Sequence, residues 1–330
     1  MIELRKFVML ANPSRFVILS FAQNLRRCLS FLFVLSFLCP AARAQQPTGQ
    51  AIYNLTQQFL NVAPKRFNGS PGHLAAEEFI TDHFKPEAAK GDLITDEFIA
   101  NTPAGPQTMR NYIVRFPGKK DGIIVLASHY ETNYPLRNIN FVGANDGGST
   151  TGLLLAIGDR LREQAAQSPG KKLIGYSVWL LFDDGEESFS PDWIDSDALF
   201  GTRHLAAKWA RDGTLSQIKA FILADMIGDK DLDIQHEANA APWLFSLVQQ
   251  AVKKFGYEKY FFKLTESVDD DHMPFVQRGV PTIDIIDLDY GPNNAYHHTA
   301  QDSMDKISAR SLTIDGDVFL ETIRLIDQRD

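Results

Sequence analysis

The sequence predicts an α/β sandwich in which helices cover a β-sheet. Short apolar runs bounded by polar turns alternate with segments whose apolar residues recur at helical spacing, and this alternation is typical of that fold class. The run at residues 123–127 is continuous and apolar, as expected of a central strand that is buried on both faces. The chain therefore combines a buried sheet with amphipathic helices.

The elements can be placed in order along the chain. Apolar spacing predicts helices around residues 53–60 and 74–84. Apolar runs predict strands at residues 108–116, 123–127, 176–182, 220–224 and 282–286. A helix is expected just after Asp146, because Leu153, Ile157 and Leu161 fall on one helical face, and residues 312–326 have the spacing of a closing helix.

The first 44 residues predict a secretory signal peptide. Arg26 and Arg27 precede an apolar run at residues 29–38, and Ala42-Arg43-Ala44 offers small residues at a cleavage site. The run is shorter than the roughly 20 residues that cross a bilayer, so no stable membrane anchor is expected. We predict a signal at residues 1–44, a single catalytic domain at residues 45–330, and a secreted or periplasmic protein.

Net charge indicates which partners are not expected to bind, and the cysteines indicate how the fold is stabilised. The predicted signal carries six basic residues and one acidic residue, so its removal changes the net charge from −8 to −13 at pH 7. Such acidity argues against nucleic acid and against an anionic membrane surface. Cys28 and Cys39 both lie in the predicted signal, so stability is expected to come from the core and not from a disulfide.

Carboxylates and histidines are concentrated where predicted strands end. Three strands are each followed by such residues: His129, Glu186 with Glu187, and Asp225. Ligands of open α/β sheets bind at these carboxyl ends. The glycine-rich run Gly143-Ala144-Asn145-Asp146-Gly147-Gly148-Ser149 and the run Tyr296-His297-His298-Thr299 add further candidates. One Asp, one Glu and one His supply three ligands and leave a fourth zinc position open, so the sequence predicts a catalytic zinc site.

These motifs resemble those of the zinc aminopeptidase superfamily, and within it those of the glutaminyl-peptide cyclotransferases, or glutaminyl cyclases. The resemblance runs from about Asn111 to the C-terminus. The five metal-ligand positions of the superfamily are matched by His129 in Ser-His-Tyr-Glu, Asp146 in Gly-Ala-Asn-Asp, Glu187 in Gly-Glu-Glu, Asp225 in Ala-Asp-Met-Ile-Gly, and His298 in His-Thr-Ala-Gln-Asp. The resemblance implies a three-layer α/β sandwich whose central mixed, mostly parallel sheet is flanked by helices.

Two segments favour the cyclases within that superfamily. Asp270-Asp271-His272-Met273-Pro274-Phe275 resembles the cyclase pattern Asp-Asp-His-x-Pro-Phe, where aminopeptidases have Ser-Asp-His. The stretch that begins at Trp193 is similar to the cyclase segment that supplies an active-site tryptophan. The chain also departs from the pattern: His297 stands where cyclases usually have tryptophan, Asp284 where they have histidine, and Glu131 where aspartate is usual.

The resemblance implies a role for each matched residue. Asp146, Glu187 and His298 would hold one zinc ion, with His297 as a rival to His298. Glu186 would act as general base and then general acid, and Asp225 and Asp270 would share a proton as a carboxylate pair. Trp193, Tyr296 and His297 would line the substrate pocket. The substrate would be a peptide or protein with a free N-terminal glutamine, which is converted to pyroglutamate with release of ammonia.

Two alternatives stay open at this stage. In a dinuclear aminopeptidase, His129 and Asp225 would hold a second zinc, and Glu186 would serve as base for hydrolysis of the first peptide bond. In a receptor-like relative, only the fold would be kept and no reaction would be catalysed. A count of metal ions separates the first alternative from the cyclase, and any turnover excludes the second.

Overall fold

The structure is a computed structural model that describes residues 48–194 and 196–329. The predicted signal peptide at residues 1–44 lies outside the described residues, so it remains a prediction. None of the helices in the described ranges is long and apolar enough to cross a membrane.

A mixed β-sheet forms the middle layer of the fold. The strands, in chain order, are β1 (Leu93–Thr102), β2 (Gly105–Phe116), β3 (Ile123–His129), β4 (Ser177–Asp183), β5 (Ile218–Asp225), β6 (Ile234–Glu237), β7 (Phe261–Glu266) and β8 (Thr282–Ile286). The main sheet has the order β1-β2-β4-β3-β5-β8, in which β4, β3, β5 and β8 are parallel and β1 and β2 are antiparallel to their neighbours. The predicted mixed, mostly parallel sheet is confirmed, and β6 and β7 form a separate parallel pair.

Helices cover both faces of this sheet. They are α1 (Gly49–Val62), α2 (Pro71–His83), α3 (Lys85–Ala88), α4 (Gly148–Gln167), α5 (Phe200–Asp212), α6 (Pro242–Phe255), α7 (Met273–Val276) and α8 (Ala309–Gln328). Alternate residues of β3 point to opposite faces. Leu126 packs in the core shared with α1, α2, α4, α6 and α8, whereas Val125 packs in the core shared with α5 and α7. The three-layer sandwich is therefore confirmed.

The parallel strands end together at one edge of the sheet. His129, the last residue of β3, is paired with Asp183 at the end of β4, and Asp225 at the end of β5 is paired with Ile286 of β8. β3, β4 and β5 run one or two residues beyond their predicted ends, because ladder pairing continues through these polar positions, whereas β8 ends at its predicted residue. His129 and Asp225 are thus part of strands and are held by the sheet itself.

Candidate metal and catalytic site

Three of the predicted ligands converge from separate segments of the chain. The Nε2 atom of His298 lies 3.3 Å from Oδ2 of Asp146 and 3.2 Å from Oε2 of Glu187. Asp146 and Glu187 are buried, and the His298 side chain is 34% exposed. Asp146 lies just before α4, Glu187 lies in the loop after β4, and His298 precedes α8. The predicted ligand set therefore comes together in the fold.

Unusual backbone conformations bring these side chains into place. Gly147, which follows Asp146, has a φ of 69°, and a Cβ atom there would lie 2.9 Å from Cε1 of His129. Gly143 has a φ of 52°, and a Cβ atom there would lie 2.6 Å from the carbonyl oxygen of Asp146. His298 itself has a φ of 51°, a left-handed conformation that is uncommon for a residue with a side chain. Such strain clusters at functional sites.

The other two ligand positions of the superfamily, His129 and Asp225, lie beside the Asp146 carboxylate. The Nε2 atom of His129 lies 3.2 Å from Oδ1 of Asp146 and 3.4 Å from Oδ1 of Asp225. On the other side of the ring, Nδ1 lies 3.8 Å from Oε2 of Glu186 and 3.9 Å from Oε2 of Glu131. The Asp146 carboxylate thus lies between the two histidines, with one oxygen near each.

Many buried polar atoms of this cluster have no hydrogen-bond partner within the described ranges. They are Nδ1 and Nε2 of His129, Oε2 of Glu131, Oδ2 of Asp146, Oε1 of Glu187 and Oδ1 of Asp225. Buried polar atoms are nearly always hydrogen-bonded, because leaving one unpaired costs free energy. Imidazole nitrogens and carboxylate oxygens are the donors that zinc takes in proteins, so the residues present fit a zinc ion.

A cavity of about 140 Å³ opens onto these ligands. Among its lining residues are the predicted site residues Asp146, Glu186, Glu187, Trp193, Asp225, Asp270, His297 and His298. Trp193 is 40% exposed and lies at the surface of the molecule, as expected of a pocket wall. Tyr296 is not among the lining residues, and its ring packs against Tyr290 with 5.4 Å between the ring centroids. Its role in a pocket remains a prediction.

Burial and mutual repulsion shape the protonation of the acids. Burial raises the pKa of Glu186 well above its usual range, His129 opposes this, and Glu187 and Asp270 add to it. Burial also raises the pKa of Asp270 well above its usual range, with Asp284 the next cause and Asp225 after it. Burial would raise the pKa of Asp146, but His129 and His298 hold it well below its usual range.

Asp284 is a third acid beside the predicted pair of Asp225 and Asp270. Burial raises the pKa of Asp284 to about 7, against the opposing effect of His272. Asp284 and Asp225 each raise the pKa of Asp270, because adjacent buried carboxyls do not all ionise easily. A bound cation would lower these pKa values again.

Comparison with known proteins identifies the family of this chain. Residues 111–323 match peptidase family M28. The crystal structure of a glutaminyl cyclase from an Acidobacteriales bacterium is 60% identical in sequence, with a TM-score of 0.83, and the match covers 88% of this chain and 99% of that chain. The chain belongs to peptidase family M28, in its glutaminyl cyclase branch.

More distant members of the branch agree with this assignment. A glutaminyl cyclase from Porphyromonas gingivalis is 26% identical with a TM-score of 0.72, and the match covers 85% of this chain and 99% of that chain. A glutaminyl-peptide cyclotransferase-like protein from Bos taurus is 28% identical over 80% of this chain and 73% of its own length. The likeness therefore extends over nearly the whole fold.

Sequence reasoning missed several residues that support the site of this M28 chain. Asn133 donates a hydrogen bond of 2.7 Å from Nδ2 to Oε2 of Glu187. Arg66 and Asp302 are buried and bond to the backbone around Asp146. Asp302 follows His298 by four residues in the run His-Thr-Ala-Gln-Asp, and that acidic position was a signal that could have found it. Arg66 carries no such signal.

Proposed function

We propose that the protein is a zinc-dependent glutaminyl-peptide cyclotransferase, which converts an N-terminal glutamine to pyroglutamate and releases ammonia. The observation that carries this proposal is the convergence of Asp146, Glu187 and His298 beside Glu186 at one cavity. Membership of the glutaminyl cyclase branch supports the choice of reaction.

Asp146, Glu187 and His298 are the residues proposed to hold one zinc ion. When bound, zinc polarises the γ-carbonyl of the substrate glutamine and stabilises the negative charge that develops on its oxygen. His298 contacts both carboxylates, whereas the Nδ1 atom of His297 lies 3.3 Å from Nδ2 of Asn294. These contacts favour His298 over its neighbour as the ligand.

Glu186 is the proposed proton carrier. The α-amine of the substrate attacks the γ-carbonyl carbon, so a carbon–nitrogen bond forms to the amine and the carbon–nitrogen bond of the side-chain amide breaks. Glu186 accepts the proton that the amine loses and donates it to the departing ammonia, so its carboxylate is regenerated. Burial raises the pKa of Glu186 and a bound cation lowers it, and these opposing effects suit a group that accepts and then donates a proton.

Asp225 and Asp270 are proposed to orient the amine and Glu186. Both line the cavity next to Glu186, and each influences the pKa of the other acids around it. A shared proton among Asp225, Asp270 and Asp284 keeps acceptor oxygens directed at the cavity without a full set of negative charges.

The size of the cavity supports a small reacting group at the end of a longer substrate. A volume of about 140 Å³ is well below the roughly 300–1,000 Å³ of pockets that enclose drug-sized molecules. One terminal side chain fits such a cavity, and the rest of a peptide lies outside it. We therefore propose peptides or proteins with a free N-terminus as partners. If the predicted signal is used, these substrates are met outside the cytoplasm.

A side-by-side assay tests the proposal. The zinc-loaded protein is expected to form pyroglutamate from a glutaminyl peptide and to release no amino acid from a leucyl amide. Asp270→Ser is expected to reduce cyclisation about 10- to 100-fold while zinc stays bound, because the carboxylate supports Glu186 and is not a ligand. Unimpaired cyclisation in Asp270→Ser, or no cyclisation by the parent with a filled site, would overturn the assignment.

A dinuclear aminopeptidase is the second candidate, and one observation favours it. Asp146 lies between His298 and His129, and His129 also contacts Asp225, so a second set of ligands is complete. Two zinc ions per chain together with release of leucine would establish this activity in place of the cyclase. One zinc ion per chain and pyroglutamate formation would exclude it.

A further inference from the structure

A fully buried arginine holds the backbone around Asp146. Arg66 is 0% exposed, and its hydrogen bonds in the described part of the chain all go to backbone carbonyl groups. The bonds run from Nε to Tyr130 at 2.6 Å, from Nη1 to Val142 at 2.5 Å, and from Nη2 to Gly143 at 2.8 Å and Asp146 at 2.9 Å. The guanidinium therefore joins the end of β3, next to His129, to the loop that ends in Asp146.

A buried aspartate holds the same loop through its backbone N–H groups. Asp302 is 0% exposed and accepts hydrogen bonds from the backbone N–H groups of Asn145 at 2.8 Å and Asp146 at 3.2 Å. It also accepts one from the hydroxyl of Tyr290 at 2.8 Å. Because Asp302 lies four residues after His298, it joins the segment of one proposed ligand to the loop of another.

The two residues together fix both backbone groups of Asp146. Its carbonyl oxygen accepts from Arg66, its N–H donates to Asp302, and the Oδ2 atom of its side chain is left without a hydrogen-bond partner among the described residues. A carboxylate whose backbone is held in place needs little reorganisation to bind a cation.

We propose that Arg66 and Asp302 are positioning residues that hold the Asp146 carboxylate ready for zinc in the metal-free protein. This inference rests on the proposed zinc site and not on the reaction that the site catalyses. If the two residues contributed only to folding, replacing them would lower the free energy of unfolding and leave the zinc affinity of the folded protein unchanged. The experiment must therefore separate zinc affinity from stability.

The test compares zinc dissociation constants, measured by chelator competition, in the parent, Arg66→Lys, Asp302→Asn and a control. Lysine keeps the charge of Arg66 but not its three nitrogens, and asparagine offers one acceptor oxygen where two N–H groups need one each. Both variants are expected to bind zinc about 10- to 100-fold more weakly.

Arg162→Lys is the matched control. Arg162 donates from Nε and Nη2 to the two carboxylate oxygens of Glu87 at 2.9 and 2.8 Å, so lysine loses a similar set of bonds away from the site. The control is expected to lose stability and to keep the zinc affinity of the parent within about two-fold.

A second measurement does not depend on zinc at all. In the metal-free parent, the amides of Asn145 and Asp146 should be protected from hydrogen exchange, and Asp302→Asn should lose that protection while Arg162→Lys keeps it. If Arg66→Lys and Asp302→Asn fail to fold, Tyr290→Phe removes only the hydroxyl that bonds Asp302 and is expected to weaken zinc binding a few-fold.

The outcomes are distinct. Zinc affinity equal to that of the parent in a folded Arg66→Lys or Asp302→Asn protein overturns the inference, as does unchanged affinity in Tyr290→Phe when it is the variant that folds. A parent that binds no zinc contradicts the proposed function instead, and the exchange measurement then decides whether the loop is held as proposed.

Discussion

Two buried clusters of histidine and carboxylate lie close together in this fold, and they differ in how their polar atoms are paired. In the first, which we call the paired cluster, Nε2 of His73 lies 2.9 Å from Oδ1 of Asp184, and Arg110 donates to Glu77 at 3.1 Å. Asn68 donates to Oδ1 of Asp184 at 2.7 Å, and the backbone N–H of Arg110 donates to its Oδ2 at 2.8 Å. Within the described ranges, none of these five side chains has a buried polar atom without a partner.

The second cluster is the candidate metal site, which contains the same kinds of residue. Both ring nitrogens of His129 and one oxygen each of Glu131, Asp146, Glu187 and Asp225 are buried without a hydrogen bond to any described residue. Composition does not distinguish the clusters, since both have a buried histidine and at least two carboxylates. Pairing does distinguish them. In the paired cluster, the polar atoms of the described residues bond one another and none of them is left to bind a ligand. In the candidate metal site, a bound cation explains why nitrogen and oxygen atoms are buried without hydrogen bonds.

Replacement of a proposed ligand in the candidate metal site should have the largest effect on zinc binding and on activity. His298→Ala is expected to abolish both zinc retention and cyclisation, because two remaining ligands compete poorly with water. Zinc per chain after dialysis and the rate of pyroglutamate formation measure the two losses. His297→Ala is the matched control and should keep its zinc. Full zinc in His298→Ala together with loss in His297→Ala would exchange the roles of the neighbouring histidines.

Replacement of the proposed base should separate binding from chemistry. Glu186→Gln keeps the shape of the side chain but cannot accept a proton, so zinc should remain bound while turnover falls on the order of 10²- to 10⁴-fold. Steady-state kinetics on a glutaminyl peptide and the zinc content of the same sample provide the measurement. A variant within a few-fold of the parent would remove Glu186 from its proposed role.

The parts of the fold that could be predicted from sequence are those in which apolar residues alone decide the structure. β3 is buried at every position and was predicted from one apolar run. β1 was not predicted, because its two buried residues are Asp96 and Ala100, and Asp96 is buried by accepting a hydrogen bond of 2.6 Å from Lys208. The sequence of β1 therefore shows no alternation of apolar and polar residues that would predict a strand.

The site divides in the same way. Asp146, Glu187 and His298 could be named from motifs, because metal ligands need particular residue types at strand ends and glycine turns. Arg66 could not, because its partners are backbone carbonyls of distant segments, which have no sequence signature. Asp284 could be named from the sequence only as the residue that stands where cyclases have histidine, and its place beside the other acids follows from the parallel pairing of β5 and β8.

The paired cluster should give a loss of stability without a loss of metal. His73→Gln removes the imidazole that pairs with Asp184, and breaking a buried ion pair costs about 3 kcal/mol. The free energy of unfolding in urea should fall accordingly, while zinc per chain stays at the parent value. Loss of zinc in this variant at unchanged stability would show that pairing does not separate the two clusters.

The pH dependence of this effect has a definite sign. Burial lowers the pKa of His73, but Asp184, Glu77 and Glu131 together outweigh burial, and the net pKa is raised above its usual value. A raised histidine pKa adds stability that is fully present below the unfolded pKa of about 6.5 and is lost as the pH rises through the folded pKa. The advantage of the parent over His73→Gln should therefore shrink as the solution becomes alkaline.

The smallest expected effect tests whether an unpaired buried group always indicates a ligand. Asp315 of α8 is fully buried, and both of its carboxylate oxygens lack a partner in the described part of the chain, yet it is not among the residues that line the catalytic cavity. Burial raises its pKa well above the usual range, and Asp287 adds to this.

A raised carboxyl pKa means that stability is greatest below the unfolded pKa and falls as the pH rises toward the folded value. Asp315→Asn cannot ionise, so it should be more stable than the parent at pH 7, with little difference near pH 4. Urea unfolding at the two pH values measures this, and zinc affinity and cyclisation should stay at the parent values. A fall in zinc affinity would mean that Asp315 belongs to the function, whereas stabilisation alone would mean that an unpaired buried group indicates a ligand only where other unpaired donors surround it.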